Sequence, residues 1–255
     1  MDMDSEYKEN LVSILLDFGE QLLLCGGEIY RVEDTMVRLG NCFGCERVNT
    51  FVITSSIVLT LTFADGKSVT QTRRITSPAG TDYEKLEKLN ALSRECVSRK
   101  LSPEVLKERL LQTDNSSGHN TMQTYVGSLL VGVAFAVFFG GSFLDGIFGG
   151  VFGLVTAFLQ SKLEKLCPNR VTFNLLSGFL LGISISLLAG LIPSLMADKI
   201  MIGVIMLLIP GIAMTISIRD IIVGETISGS MRLIESLLWA TGLACGFMLA
   251  IWIVG

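Results

Sequence analysis

Charge is the feature that most limits how this chain can fold. Of its 20 Lys and Arg residues, 14 precede residue 116, as do 18 of its 24 Asp and Glu, which leaves six of each sign for everything after. The two parts therefore suit different solvents: an aqueous front of ordinary composition and a rear poor enough in charge to lie in lipid. The whole chain is 17% charged, against ~25% in soluble domains, and its mean hydropathy is +0.57. Net charge is −4 in front (14 minus 18) and zero behind. Neither part has the basic excess that nucleic-acid binding requires, so that class of partner is set aside.

Apolar runs in the rear half fall near residues 125–141, 143–161, 172–192, 200–218 and 233–254. Each approaches the ~20 residues needed to cross a ~30 Å hydrocarbon layer, so five membrane helices are expected. Lys107 and Arg109 precede the first run, Lys162, Lys165 and Arg170 separate the second and third, and Arg219 and Arg232 separate the fourth and fifth. All three places lie on one side, and the opposite loops hold only Lys199. The positive-inside rule then puts the N-terminus in the cytosol and the C-terminus outside the cytoplasmic membrane. The acidic opening "MDMDSEYKEN" is no secretory signal, which agrees with a cytosolic front and with six cysteines kept as thiols. Asp145 and Asp198, on the outer side, read as interfacial anchors unless a partner buries them. Small residues at four-residue spacing (Gly146 and Gly150, Gly178 and Gly182, Gly242 and Gly246) imply close helix packing within the chain, with an oligomer seam as the alternative.

The fourth run contains Pro210-Gly211. Proline brings no N–H and its ring clashes with the carbonyl four residues back, so the helix must kink or unwind there. Unpaired backbone groups cost several kcal/mol each in hydrocarbon, so a break persists only against protein or beside a water-filled path, and transporters line midplane sites this way. A purely structural kink is the competing reading. Thr215 and Arg219 follow at helical spacing, a hydroxyl and a guanidinium suited to a carboxylate-bearing solute. The competing role for Arg219 is pairing with Asp220 at the interface. Beyond them "VGETISGSMRLIE" reads as a polar, glycine-flanked loop, with Gly224, Glu225, Ser228, Gly229, Arg232 and Glu235 as candidate gate residues.

The front half, residues 1–115, reads as a compact α+β domain, with 116–124 as linker and 125–255 as the transmembrane domain. Apolar spacing predicts helices over 5–25 and 27–40, broken at Gly26-Gly27. A β-branched stretch around 48–75 follows, with a hairpin turn at Asp65-Gly66. Thr81 with Glu84 makes a capping box for a helix to about Ser98, and Ser102-Pro103 starts another to about Gln112. "GGEIYRVEDTM" gathers Glu28, Tyr30, Arg31 and Glu33 into a polar cluster that either faces a groove or is a solvated helix face. Cys42 and Cys45 form a lone C-x-x-C without the second ligand pair of a zinc site or the preceding strand of a thioredoxin motif. His119, the single histidine, falls in the linker. No metal, cofactor or catalytic nucleophile is expected, and the lack of a Walker A sequence removes an ATP-driven pump on this chain.

Taken in order, "GGEIYRVEDTMVRLG", the strand region ending "TRRI", "LNALSRE" and "IPGIAMTISIRDIIVGETISGSMRLIESLL" resemble the threonine/serine exporter family over nearly the whole chain. The family pattern falls on Pro210, Gly211, Thr215, Arg219, Asp220, Gly224, Glu225, Ser228, Gly229, Arg232 and Glu235. Many members carry Asn where this chain has Ile216, and Asp where it has Glu225. The resemblance is to the larger subunit of a split form, which implies a small all-membrane partner, a hetero- or homo-oligomer in the lipid bilayer and a small carboxylate substrate: threonine or serine, or a dicarboxylate such as succinate. Two rival functions follow from the residues themselves. One is a membrane-anchored enzyme with its site around Glu28, Tyr30, Arg31 and Glu33; the other is a membrane scaffold or sensor.

Overall fold

The computed structural model describes residues 3–76, 80, 82–115 and 121–254. Thr81 and His119, singled out above, lie outside them. The chain forms two compact units: Met1–Gly118 together with Ile216–Arg232, and His119–Thr215 together with Leu233–Gly255.

In the first unit, helix α1 (Met3–Leu24) buries Leu11, Leu15, Phe18 and Leu22, as their spacing predicts. It stops at Gly26, whose φ of +88° only glycine adopts freely. The N–H groups of Gly26 and Gly27 close the last turn on Leu23 O and Leu22 O (3.0 and 2.9 Å). Helix α2 (Ile29–Cys42) then sets Ile29, Val32, Met36 and Leu39 into the same core. Three antiparallel strands follow in sequence order, β1 (Arg47–Ile53), β2 (Ser56–Thr62) and β3 (Ser68–Arg74). The central strand is pinned by Ile53↔Ser56 on one side and Thr62↔Ser68 on the other. Its Ile57, Leu59 and Leu61 are fully buried. The Asp65-Gly66 turn forms as expected, Gly66 having φ +78°. The tighter turn at Thr54-Ser55 carries no Gly, Asn or Pro and so had no sequence signal. Helix α3 (Tyr83–Arg99) is capped by Asp82, whose carboxylate accepts the Lys85 N–H at 2.9 Å. Helix α4 (Pro103–Asn115) completes this core with Leu106 and Leu110. Arg73 binds β3 to α1 through Asp17 (2.7 Å) and Glu20 (3.1 Å).

Helices α5 (Thr121–Phe138), α6 (Phe143–Lys162), α7 (Arg170–Leu191) and α10 (Thr226–Val254) are each long and apolar enough to cross a membrane. A fifth candidate is a broken pair, α8 (Ala197–Leu208) and α9 (Gly211–Val223), bent by 51°. The break falls where Pro210 predicts it. Within the second unit, the spaced glycines meet other helices of the same chain. A Cβ on Gly149 would lie 2.6 Å from Gly132 O, one on Gly178 2.7 Å from Leu243 O, and one on Gly242 2.8 Å from Val171 O. Close backbone approach of this kind supplies the dispersion contacts that hold helices together in lipid.

Two sequence readings change here. Asp145 is fully buried and not an interfacial anchor. Its carboxylate accepts from Ser142 N–H and Oγ–H (both 2.7 Å), closing a capping box on α6, and from Met196 N–H (2.8 Å), which ties down the approach to α8. Asp198 stays exposed and pairs with Lys199 (3.0 Å). The expected loop after Gly224 is mostly helix: α10 already begins at Thr226, because Gly224 at φ +108° makes the whole reversal. Its N–H and that of Glu225 cap α9 on Ile221 O (3.2 Å) and Asp220 O (2.9 Å).

Candidate functional site

The first unit brings together residues from both ends of the chain. Glu28 occupies the position just before α2, in extended conformation after the Gly26-Gly27 turn. Its Oε1 accepts from Arg219 Nη1 of α9 at 2.5 Å, and its Oε2 lies 3.2 Å from Arg31 Nε. Asp220 is 3% exposed and bonds Arg232 Nη1 of α10 at 3.2 Å, while Arg232 Nη2 donates to the Gly27 carbonyl at 3.3 Å. The competing Arg219–Asp220 pairing does not form; the structure has two crossed pairs, Arg219–Glu28 and Arg232–Asp220. The reason is helical geometry: adjacent residues on a helix point in different directions and do not face one another. Ser228 is buried. Gly229 lets α10 close on α9, since a Cβ there would sit 2.8 Å from both Ile221 N and Ser217 O. A cavity of about 120 Å³ adjoins this network, lined by Gly27, Glu28, Arg31, Tyr83, Asn90 and Ile216 among others.

Tyr30 is exposed, and Glu33 points elsewhere, accepting the Val52 N–H of β1 at 2.9 Å. Burial pushes the Glu33 carboxyl above its ordinary range; the Val52 bond works against this and the Glu225 charge with it. Between the ordinary value and the raised one, the folded state binds more protons than the unfolded chain, so stability falls as pH rises through that window. Glu33→Gln keeps an oxygen for Val52 and removes the titration. Thermal unfolding should show it more stable than the parent near neutral pH, with the gain shrinking as pH falls through that window and gone only well below the ordinary glutamate value, where both states of the parent are protonated.

Cys42 Sγ donates to Cys96 O at 3.7 Å. Burial raises the Cys45 thiol, and carries that of Cys96 to about 11, so both stay protonated. Among the described residues no three His, Cys, Asp or Glu side chains form a metal-sized group.

A second cluster lies in the other unit, at the α8–α9 break. Leu207, Leu208, Ile209 and Pro210 line a cavity of about 180 Å³ whose other walls include Gln160, Glu164, Arg170, Asn174 and Trp239. Pro210 offers no N–H to Met206, and the Gly211 N–H turns to Ile209 O (2.9 Å). The break is level with the end of α6 and the start of α7, not halfway along them as a midplane site would be. Thr215 donates to Gly211 O (3.0 Å), as membrane-helix hydroxyls often do, and Glu235 is exposed on α10. Sequence reasoning missed Arg170, Asn174 and Trp239; their one signal was a charge and an amide spaced four apart at a helix start.

A polar α+β unit and four or five helices of membrane-crossing length, one of them broken beside a polar cavity, are consistent with the class of helical membrane proteins. Within that class the chain belongs to the threonine/serine exporter family, ThrE, whose model matches residues 13–254. The family is one of transporters, which speaks for transport over catalysis. No curated protein and no solved structure matched the chain.

Proposed function

We propose that this chain is the larger subunit of a two-component secondary exporter, carrying small carboxylate-bearing metabolites (threonine and serine, or a dicarboxylate such as succinate) out of the cytosol. The observation that carries this reading is the bend at Pro210: it borders a polar-lined cavity, where an inert kink would be packed with apolar side chains. The basic residues of the α6–α7 connection and of the α9–α10 region put both clusters on the cytosolic side by the positive-inside rule. Solute would thus load at the break. Arg219, Asp220 and Arg232, paired as they are, form the gate, with Glu28 as its cytosolic latch. Counted as five spans, with the bent α8–α9 pair as one, the chain fits a partner: a second five-span half inserts in the opposite sense and supplies the inverted repeat that alternating access uses. Glu28, held between two guanidinium groups, is poorly placed to act as a general base, which weighs against the enzyme reading.

The test is efflux from vesicles carrying this chain with a small all-membrane companion, loaded in turn with labelled threonine, serine and succinate. Efflux of at least one well above that from empty vesicles is expected. Rates equal to the empty vesicles for all three overturn the proposal.

A further inference from the structure

We infer that the cavity at the α8–α9 break is a binding site for a small zwitterion, an α-amino acid, whose carboxylate is taken by Arg170 and whose ammonium is taken by Glu164. The inference rests on the export reading and narrows it.

The site is built by local capping. Asn169 accepts the Thr172 N–H (2.8 Å) and starts α7, which makes Arg170 its first residue and places Asn174 one turn further on. A single 3-10 turn, Glu164–Leu166, brings Glu164 back toward that start. Arg170 Nε donates to Glu164 Oε1 at 3.3 Å, and the guanidinium carbon stands 4.9 Å from the Trp239 ring centroid. Stacked on an indole and anchored through Nε, the guanidinium keeps its two terminal nitrogens, which donate to no described residue, as a fork of the kind that fits a carboxylate. Asn174, nearly buried, donates to Trp239 O (3.0 Å) and so fixes the helix that carries the indole.

Charge then chooses the ligand. The cavity holds one guanidinium and one carboxylate, both a little under half exposed. A zwitterion satisfies both and leaves the site neutral. A dicarboxylate would bring a second negative charge against Glu164. Size agrees: about 180 Å³ is room for roughly six waters, well under the ~300 Å³ where pockets for drug-sized ligands begin.

Trp239 is its own reporter. The chain has two tryptophans, and Trp252, exposed near the end of α10, can be removed by Trp252→Phe. In lipid nanodiscs holding the full chain and its companion, L-threonine should shift Trp239 fluorescence saturably and succinate should not compete. Arg170→Lys, which keeps the charge but loses the fork, should weaken threonine roughly ten- to hundredfold. Glu164→Gln should weaken threonine and admit succinate. Threonine titrations unchanged in both variants, no threonine response in the parent, or succinate competing equally in the parent, would overturn the inference. Vesicle efflux separates the two readings: export by the parent that neither variant alters rejects this site and leaves the exporter standing, whereas threonine binding without export of any solute rejects the exporter and keeps the site.

Discussion

Asp220→Ala is expected to destabilise the folded chain by about 3–5 kcal/mol, the range for stripping one partner from a buried ion pair. Asp220 is almost completely buried and Arg232 is 12% exposed, so the guanidinium would keep its desolvation cost and lose the Asp220 counter-charge. Arg232→Ala should cost a similar amount and also takes a donor from the Gly27 carbonyl. The double replacement Asp220→Leu with Arg232→Met should be milder than either single change, because apolar groups of similar size remove the desolvation cost of both ions. Thermal unfolding of the detergent-purified chain checks all three; single variants within about 0.5 kcal/mol of the parent would place the pair among ordinary surface contacts. The neighbouring Arg219–Glu28 pair makes the contrast. Its arginine is 54% exposed, so that pair contributes only about 0–1 kcal/mol, and Arg219→Ala should leave unfolding nearly unchanged. If the double variant folds and Arg219→Ala folds, loss of efflux in both would be a gating effect and not a stability effect. Burial therefore separates a pair on which stability depends from an exposed one that contributes little to it.

What the sequence made legible follows from periodicity and backbone chemistry. Five apolar runs, the break at Pro210, the stop at Gly26-Gly27 and the turn at Asp65-Gly66 each depend on residues within a turn or two of one another, so composition and spacing are enough. The charged network does not have that property. Glu28 and Arg219 are 191 positions apart, and nothing near either one indicates the other. The sequence therefore offered two separate clusters, one suited to an enzyme and one to a gate, and the fold merges Glu28 and Arg31 with Arg219, Asp220 and Arg232. Tyr30 and Glu33 were grouped with Glu28 by proximity in sequence, but a helix sends them to different sides, Tyr30 to solvent and Glu33 to the β1 backbone. Asp145 misled for a related reason. An acid at a helix start in an apolar chain resembles an interfacial anchor; Ser142 three residues earlier was the local capping-box signal, and only the further bond from the distant Met196 N–H was out of the sequence's reach. The cavity at the break was hidden because its walls come from α6, the 3-10 turn after it, α7, α8, the break itself and α10, none contributing more than three residues.

Gly149→Leu is expected to disrupt the second unit strongly. Even a methyl group at Gly149 would lie 2.6 Å from Gly132 O and 2.9 Å from the Ala136 Cβ. The first obstacle is backbone, which cannot rotate away, so α5 and α6 must separate. The damage does not stop there: Gly203 of α8 closes on the same carbonyl, its added Cβ falling 2.7 Å from Gly132 O. Three helices thus share one contact point, and wedging it apart forfeits dispersion contacts at all of them, where no hydrophobic drive in lipid compensates. Overpacking costs about 1–3 kcal/mol in an adaptable core, and a rigid backbone contact belongs at or above the top of that range. Gly127→Ala is the control. It sits on the same α5 helix with nothing within 4 Å of its added Cβ, so the substitution should be neutral or gain up to about 1 kcal/mol from helix propensity alone. Unfolding temperatures that fall for Gly149→Leu and hold or rise for Gly127→Ala would show that backbone contact, and not glycine content, sets the stability of this bundle. Equal shifts for the two would mean that the helices are held by something other than the close approach at Gly132.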